Sequence, residues 1–241
     1  MFTKLIYRIP NSVKILKTTN FCPNCKIRLK FADIIPVIAY LRFGGKCRYC
    51  KAKTPIKYLM VEILTPLIFV ALYLFYGMNF DLFLNLALWS MLIIVFVIDL
   101  EHMIVSDAVL AMFSPAVIIY IIATGASWIW HLTGLAFGFI FFLLIYLITK
   151  WLYKQEAFGF GDVMLSGAVG WFLGLENAIL TGIMSFIIAF VVIVFLKAAG
   201  RNLKKDMEIP FAPFICIAAV ISAMFGEEII RLYWGLSYIW N

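Results

Sequence analysis

Charge is what this chain has least of. Asp, Glu, Lys and Arg make up 14% of its 241 residues, where a soluble globular domain carries roughly 25%. That scarcity excludes a water-solvated globule. Hydrophobic residues amount to 65%, so lipid is the solvent for most of the chain. No signal peptide is expected in the first 57 residues, which are basic and hold no apolar core of useful length. Acidic residues number thirteen against twenty Lys and Arg. A net charge of +7 would ordinarily suggest a nucleic-acid partner. Here membrane topology explains the basic residues better, and no nucleic acid is expected.

Residues 1–57 hold thirteen of the twenty Lys and Arg. From Tyr58 onward the sequence becomes a series of apolar runs, and a spanning helix needs about 20 such residues. Spans are expected near 58–76, 82–99, 107–124, 131–150, 163–175, 177–197 and 209–226. The 163–175 run is short and Gly-rich. A Trp/Tyr-rich piece, 229–240, contains Arg231 and reads as a partial span or an interfacial helix. The expected fold is therefore an all-α polytopic membrane protein with about seven transmembrane helices and a C-terminal apolar segment. Two parts are expected, a basic cytoplasmic module at 1–57 and a transmembrane domain at 58–241.

The cations alternate between connections. Lys150 and Lys154 fall in one, and Lys197, Arg201, Lys204 and Lys205 in another; the turns near Gly77, Gly125 and Gly174 carry none. By the positive-inside rule, the N-terminal module and the loops 99–107, 150–162 and 197–208 face the cytoplasm.

Against this background two carboxylates stand out. Asp99 ends the run LFLNLALWSMLIIVFVID, and Asp162 follows glycines in GFGDVML. A carboxylate at or inside the hydrocarbon costs at least ~2.5–3.5 kcal/mol on insertion scales. The topology puts both at the cytoplasmic edge, sixty-three positions apart in sequence but at one membrane depth. A pair of this kind can hydrolyse a peptide: the ionised member takes a proton from water and the protonated one polarises the scissile carbonyl. The alternatives are helix-end residues that reach headgroup water, or a proton relay in a transporter. Gly159 and Gly161 allow close backbone approach; otherwise they end a loop, with Asp162 as N-cap. Ser106 or Asp107 reads as the N-cap of the following span. Glu101 and His102 read as solvated loop residues sooner than as groups that tune Asp99, and Glu62 equally as an edge carboxylate paired with a Lys of the module or as a site residue.

Cysteines form two matched pairs and a singleton. CPNC (Cys22, Cys25) and CRYC (Cys47, Cys50) are separated by twenty-one residues. Two such knuckles can close a tetrahedral four-thiolate zinc site. A reducing cytoplasm favours metal over disulfides. The intervening LKFADIIPVIAYLRFGG is too apolar for a free loop and is expected to lie on the membrane or pack on helices. Cys216 reads as a small buried packing residue.

Together these segments resemble the prepilin peptidase family (type IV prepilin leader peptidases), GxGD-type aspartic proteases of the bacterial inner membrane. The resemblance is carried by LIYRIP, the whole CPNC-to-CRYC stretch, YLMVEILTP, IDLEHMIVSD, GFGD and PFAPFI. It implies that Asp99 and Asp162 are the catalytic pair. It implies cleavage of the short basic leader from prepilins or pseudopilins at the cytoplasmic face. It also implies methylation of the new N-terminus in many members, with S-adenosylmethionine as donor. Only Met1–Lys4 precede LIYRIP, where members usually carry a further apolar span. Val105-Ser106-Asp107 stands for a more usual IPD, Met164 for a common Lys, and Ala212 for the Gly of a PFGPF-like stretch. Rival readings are a GxGD protease with other substrates, such as a preflagellin or signal-peptide peptidase, and a proton-coupled transporter.

Overall fold

The computed structural model describes residues 6, 9, 22, 24, 25, 27, 40, 42–53, 55–153, 158–200 and 210–239. Most of LIYRIP, most of the apolar stretch between the two cysteine pairs, and the cations Lys154, Arg201, Lys204 and Lys205 lie outside these residues. Among the described residues the structure is helical, with no strand beyond an isolated antiparallel bridge between Lys46 and Lys53. Two compact units divide the chain, Met1–Gly77 and Met78–Asn241.

The first unit contains the cysteine knuckles and helix α1 (Ile56–Tyr76). Pro55 precedes this helix and Pro66 lies inside it. Pro66 has no N–H to donate, and next to it the Thr65 hydroxyl donates to the Val61 carbonyl at 2.7 Å. Gly77, at φ 69°, ends the helix and donates its N–H to Tyr73.

In the second unit, α2 (Phe80–His102) starts at Asn79, whose side chain accepts the Leu82 N–H at 2.8 Å. Asp81 in the first turn complements the positive end of the helix dipole. A short α3 (Asp107–Phe113) and α4 (Pro115–Thr124) share the expected 107–124 span. They are divided where Pro115 removes a donor and the Ser114 hydroxyl turns back onto Leu110 at 2.7 Å. Helix α5 covers Trp128–Tyr153, α6 Phe160–Ala198 and α7 Ala212–Ile239.

Among the described residues six helical segments are long and apolar enough to cross a membrane, α3 and α4 counting together as one. The expected separate spans at 163–175 and 177–197 run together as the 39-residue α6, which is broken at Gly174 (φ 75°, ψ 179°). A positive φ of this kind suits glycine, and a side chain there would also strike the Trp130 indole. The two legs of α6 run in opposite directions. On the first, Gly174 and Gly170 meet Gly134 of α5, Ser166 meets Gly138, and Phe158, just ahead of the helix, stacks on Phe142. On the second, the order returns: Gly182 packs on Phe141, and Phe186 stacks on Phe142 with centroids 5.7 Å apart. The C-terminal piece expected at 229–240 is not separate, because α7 continues through Gly226 to Ile239. Glycine suits that helical position because Asn177 lies where its Cβ would be.

Close approach of α5 and the first leg of α6 depends on small residues at four-residue spacing: Gly134 and Gly138 face Ser166, Gly170 and Gly174. This is the small-residue packing that joins helices in lipid. The Ser166 hydroxyl crosses the seam, 2.9 Å from the Gly138 carbonyl. Core side chains include Met91, Ile94 and Ile98 of α2, Val163 and Leu165 of α6, and Ile215 and Ala219 of α7. Many large apolar side chains, such as Trp151, Phe190 and Phe195, instead face outward, as they do where lipid is the solvent.

Candidate active site and metal centre

Asp99 stands near the end of α2, four residues before Met103, whose left-handed backbone (φ 51°) closes the helix and donates to the Asp99 carbonyl. Asp162 is the third residue of α6 counted from its N-cap, Gly159. In that position its carboxylate turns back to the Gly159 backbone N–H, the geometry of half a capping box. Asp162 therefore caps its own helix from inside the first turn and is not itself the N-cap.

The two carboxyl groups are brought together. They lie within electrostatic reach of each other and are 5% and 7% exposed. The backbone N–H of Ala212, the first residue of α7, interacts with Asp99, while Asp99 Oδ2 is buried with no hydrogen-bond partner. An orphaned carboxylate oxygen beside a second carboxylate can bind a water or a carbonyl.

Both glycines of GFGD have a steric role. A Cβ on Gly161 would come within 2.8 Å of Val105 Cβ, and one on Gly159 within 3.2 Å of the Asp162 carboxylate. Neither has a positive φ. Glycine here serves close approach, not an unusual backbone conformation.

Three contributors were not evident from the sequence. Cys216 is fully enclosed, its thiol 3.7 Å from the Leu92 carbonyl, and it lies within electrostatic reach of both aspartates. Phe158 and Phe211 face each other edge to plane at 5.1 Å, one residue ahead of Gly159 and Ala212 respectively. Phe211 also contacts Phe142, Phe186 and Phe214. The clue was PFAPFI, which has two aromatic residues in a proline-bounded stretch. Asp107 is exposed at the start of α3. Ser106 is its N-cap but makes no side-chain capping bond. Glu101 and His102 approach each other at 3.7 Å.

In the first unit, the sulfurs of Cys22, Cys25, Cys47 and Cys50 all lie within 4.8 Å of one another, with Cys22 and Cys50 at 3.8 Å. Four thiolates about 2.3 Å from one zinc ion would stand roughly 3.8 Å apart, so the cluster fits a tetrahedral metal. The knuckles are built alike. The Cys22 N–H donates to Ile27 at 3.0 Å, and the Cys47 N–H to Ala52 at 2.8 Å, five residues on in each case. The Ala52 backbone N–H, followed by the Asn24 side chain, draws the Cys50 thiol down to about 6, while Cys25, against the pull of the Ile27 backbone N–H, is pushed up to about 11 by burial and the neighbouring thiols. Such donors favour the thiolate that a metal needs.

Comparison with known proteins agrees with this arrangement. Residues 1–76 match the bacterial peptidase A24 N-terminal domain, and residues 86–194, which contain both aspartates, match the type IV leader peptidase family. The prepilin leader peptidase/N-methyltransferase of Bacillus subtilis (strain 168) is 30% identical over 94% of this chain and 89% of its own length. That of Legionella pneumophila is 31% identical over 90% of this chain and 75% of its own. The Pseudomonas aeruginosa protein of the same name is 29% identical over 88% and 73%. No solved structure matches the chain. With both parts matched in order and relatives covered over most of their length, the chain belongs to the type IV leader peptidase family.

Proposed function

We propose that this chain is a multi-pass inner-membrane aspartic endopeptidase that removes the basic leader from prepilins or pseudopilins at the cytoplasmic face. On this reading it also methylates the exposed N-terminus, with S-adenosylmethionine as donor. The observation that carries the reading is the meeting of Asp99 and Asp162, two buried carboxylates from separate helices, sixty-three positions apart in sequence.

On this reading the two carboxylates hold one proton between them, and the titration belongs to the pair. The ionised member accepts a proton from water as the oxygen attacks the scissile carbonyl. The protonated member donates a hydrogen bond to that carbonyl and then its proton to the leaving nitrogen. The backbone N–H groups of Gly159 and Ala212 hold the carboxylates in place. Burial excludes bulk water. The substrate's apolar helix enters from the bilayer while its basic leader stays in the cytoplasm. That orientation is supported by the one-sided distribution of Lys and Arg.

Cys22, Cys25, Cys47 and Cys50 would hold a structural zinc ion. The metal would supply cross-linking of two knuckles and no chemistry at the aspartates.

The test is cleavage of a purified prepilin by wild type, Asp99→Asn and Asp162→Asn, read as the mass of the new N-terminus. Each variant is expected to lose ~10³-fold or more, on the scale of acid–base catalysis. Cleavage by both variants, or a wild type that moves ions and never cleaves, would overturn the reading. The same mass reports an added methyl group when S-adenosylmethionine is supplied.

A further inference from the structure

The connection between α2 and α3 carries backbone that nothing pairs. Residues 103–106 are neither helical nor turned. Met103 donates its N–H to the Asp99 carbonyl at 2.9 Å, and the Ser106 carbonyl accepts from Val109 and Leu110 at 3.0 and 3.3 Å. Among the described residues no other hydrogen bond uses the backbone of this segment. The N–H groups of Ile104, Val105 and Ser106 are left over, as are the carbonyls of Met103, Ile104 and Val105. Met103 and Ile104 are 52% and 50% exposed, so an outside chain can reach them.

The segment lies beside both aspartates. It begins one helical turn after Asp99, about 5 Å along the axis. Val105 packs on Gly161, the residue before Asp162. Ser106, at its far end, is extended (φ −93°, ψ 117°). Unpaired extended backbone is a template on which a further strand can form.

Peptide hydrolysis sets a matching demand on the substrate. Inside a helix the scissile carbonyl is bonded to the N–H four residues on. Straightening the chain frees that carbonyl for attack. At the hydrocarbon edge it also strands donors and acceptors that water does not fully satisfy. A chain straightened there gains most from a neighbour that supplies both kinds of group at strand spacing.

We infer that residues 104–106 form an edge onto which the scissile segment of the substrate adds as a short β-ladder, an inference that rests on the peptidase reading. Along a strand, successive residues bond to opposite sides. Val105 is taken up against Gly161, so the open side belongs to Ile104, through its N–H and carbonyl, and to Ser106, through its N–H. The ladder holds the substrate extended across Asp99 and Asp162. Main-chain bonds of this kind select a backbone that can straighten, not a particular side chain. Continuity with the two carboxylates favours the substrate over a second copy of this chain as the added strand.

The test is a set of synthetic prepilin peptides spanning the leader and the start of the apolar helix. Each is N-methylated at one backbone amide near the scissile bond and given to the purified full chain. Methylation at alternate amides is expected to lower kcat/KM about tenfold, on the scale of one lost hydrogen bond. At the amides between them the change should stay within about twofold. Equal losses at neighbouring amides, a loss recurring every three to four residues as in a helix, or no loss beyond the scissile amide would overturn the inference. An unmodified peptide that is never cleaved removes the peptidase reading and the inference with it; cleavage without alternation removes the inference alone. A benzophenone side chain at position 104 of the Asp162→Asn protein should capture the peptide on irradiation. Capture of a second copy of the chain in its place would also overturn the inference.

Discussion

Gly161 and Val105 are in such close contact that a methyl group on the glycine would stand 2.8 Å from the valine Cβ. This contact sets the start of α6 against the loop that follows α2, and with it the approach of Asp162 to Asp99. Gly161→Ala must push the two apart. A displacement of about 1 Å at a reacting group can cost on the order of 10²-fold. Gly161→Ala is therefore expected to cut kcat for leader cleavage by roughly that factor in a protein that still folds. Val105→Gly in the same chain should restore much of the rate. Full activity of the single variant would show that the contact does not set the dyad.

Phe211 links the two segments that carry the backbone donors. It touches Phe158, ahead of Gly159, and precedes Ala212. Phe211 is half-buried, so Phe211→Ala is expected to destabilise the second unit by about 2–3 kcal/mol, less than the truncation of a fully buried ring. Phe211→Tyr should retain most of the stability and the rate. Phe158→Ala and Phe211→Ala combined should cost less than the sum of the singles, because they remove one shared contact. Thermal unfolding and cleavage assays on all four proteins measure this. Strict additivity would show that the rings act independently.

Metal content tests the cysteine cluster. Elemental analysis of the purified wild type should give about one zinc per chain, and Cys22→Ser or Cys47→Ser should lose most of it, since removing one thiolate opens a closed tetrahedral site. Equal zinc in all three proteins would remove the metal from this site.

The glycine seam between α5 and α6 makes a stability prediction. Gly170→Ala would drive a methyl group into the Gly134 carbonyl. Over-packing of this kind costs typically about 1–3 kcal/mol. Gly77→Ala and Gly125→Ala meet open space, and their cost is limited to backbone strain at positive φ. Melting temperatures in one detergent should place Gly170→Ala well below wild type. No difference would mean that the helices slide apart without penalty.

Much of this architecture was legible in the sequence because lipid imposes strong rules. Apolar runs set most of the helices. The matched CxxC pairs anticipated the thiol cluster, since two knuckles of one design close readily on each other. What could not be read was contact specificity. Nothing in an apolar run shows that Gly226 continues a helix while Gly174, at φ 75°, breaks one. Cys216 looked like filler because its neighbours, Leu92 and the aspartates, are distant along the chain. Phe158 and Phe211 meet through space alone, and periodicity does not report such pairs.

The reversal at Gly174 fixes a length. From Phe160 to the break, the first leg of α6 has about 14 residues and rises roughly 21 Å, some 9 Å less than a typical hydrocarbon layer of about 30 Å. It cannot carry both of its ends to the lipid headgroups at once. With its far end at one surface, the acidic start of the leg lies submerged beneath the other, or the bilayer dimples to meet it. Either way, the mismatch grows with bilayer thickness, and a bilayer of longer acyl chains should slow the enzyme without touching a single side chain.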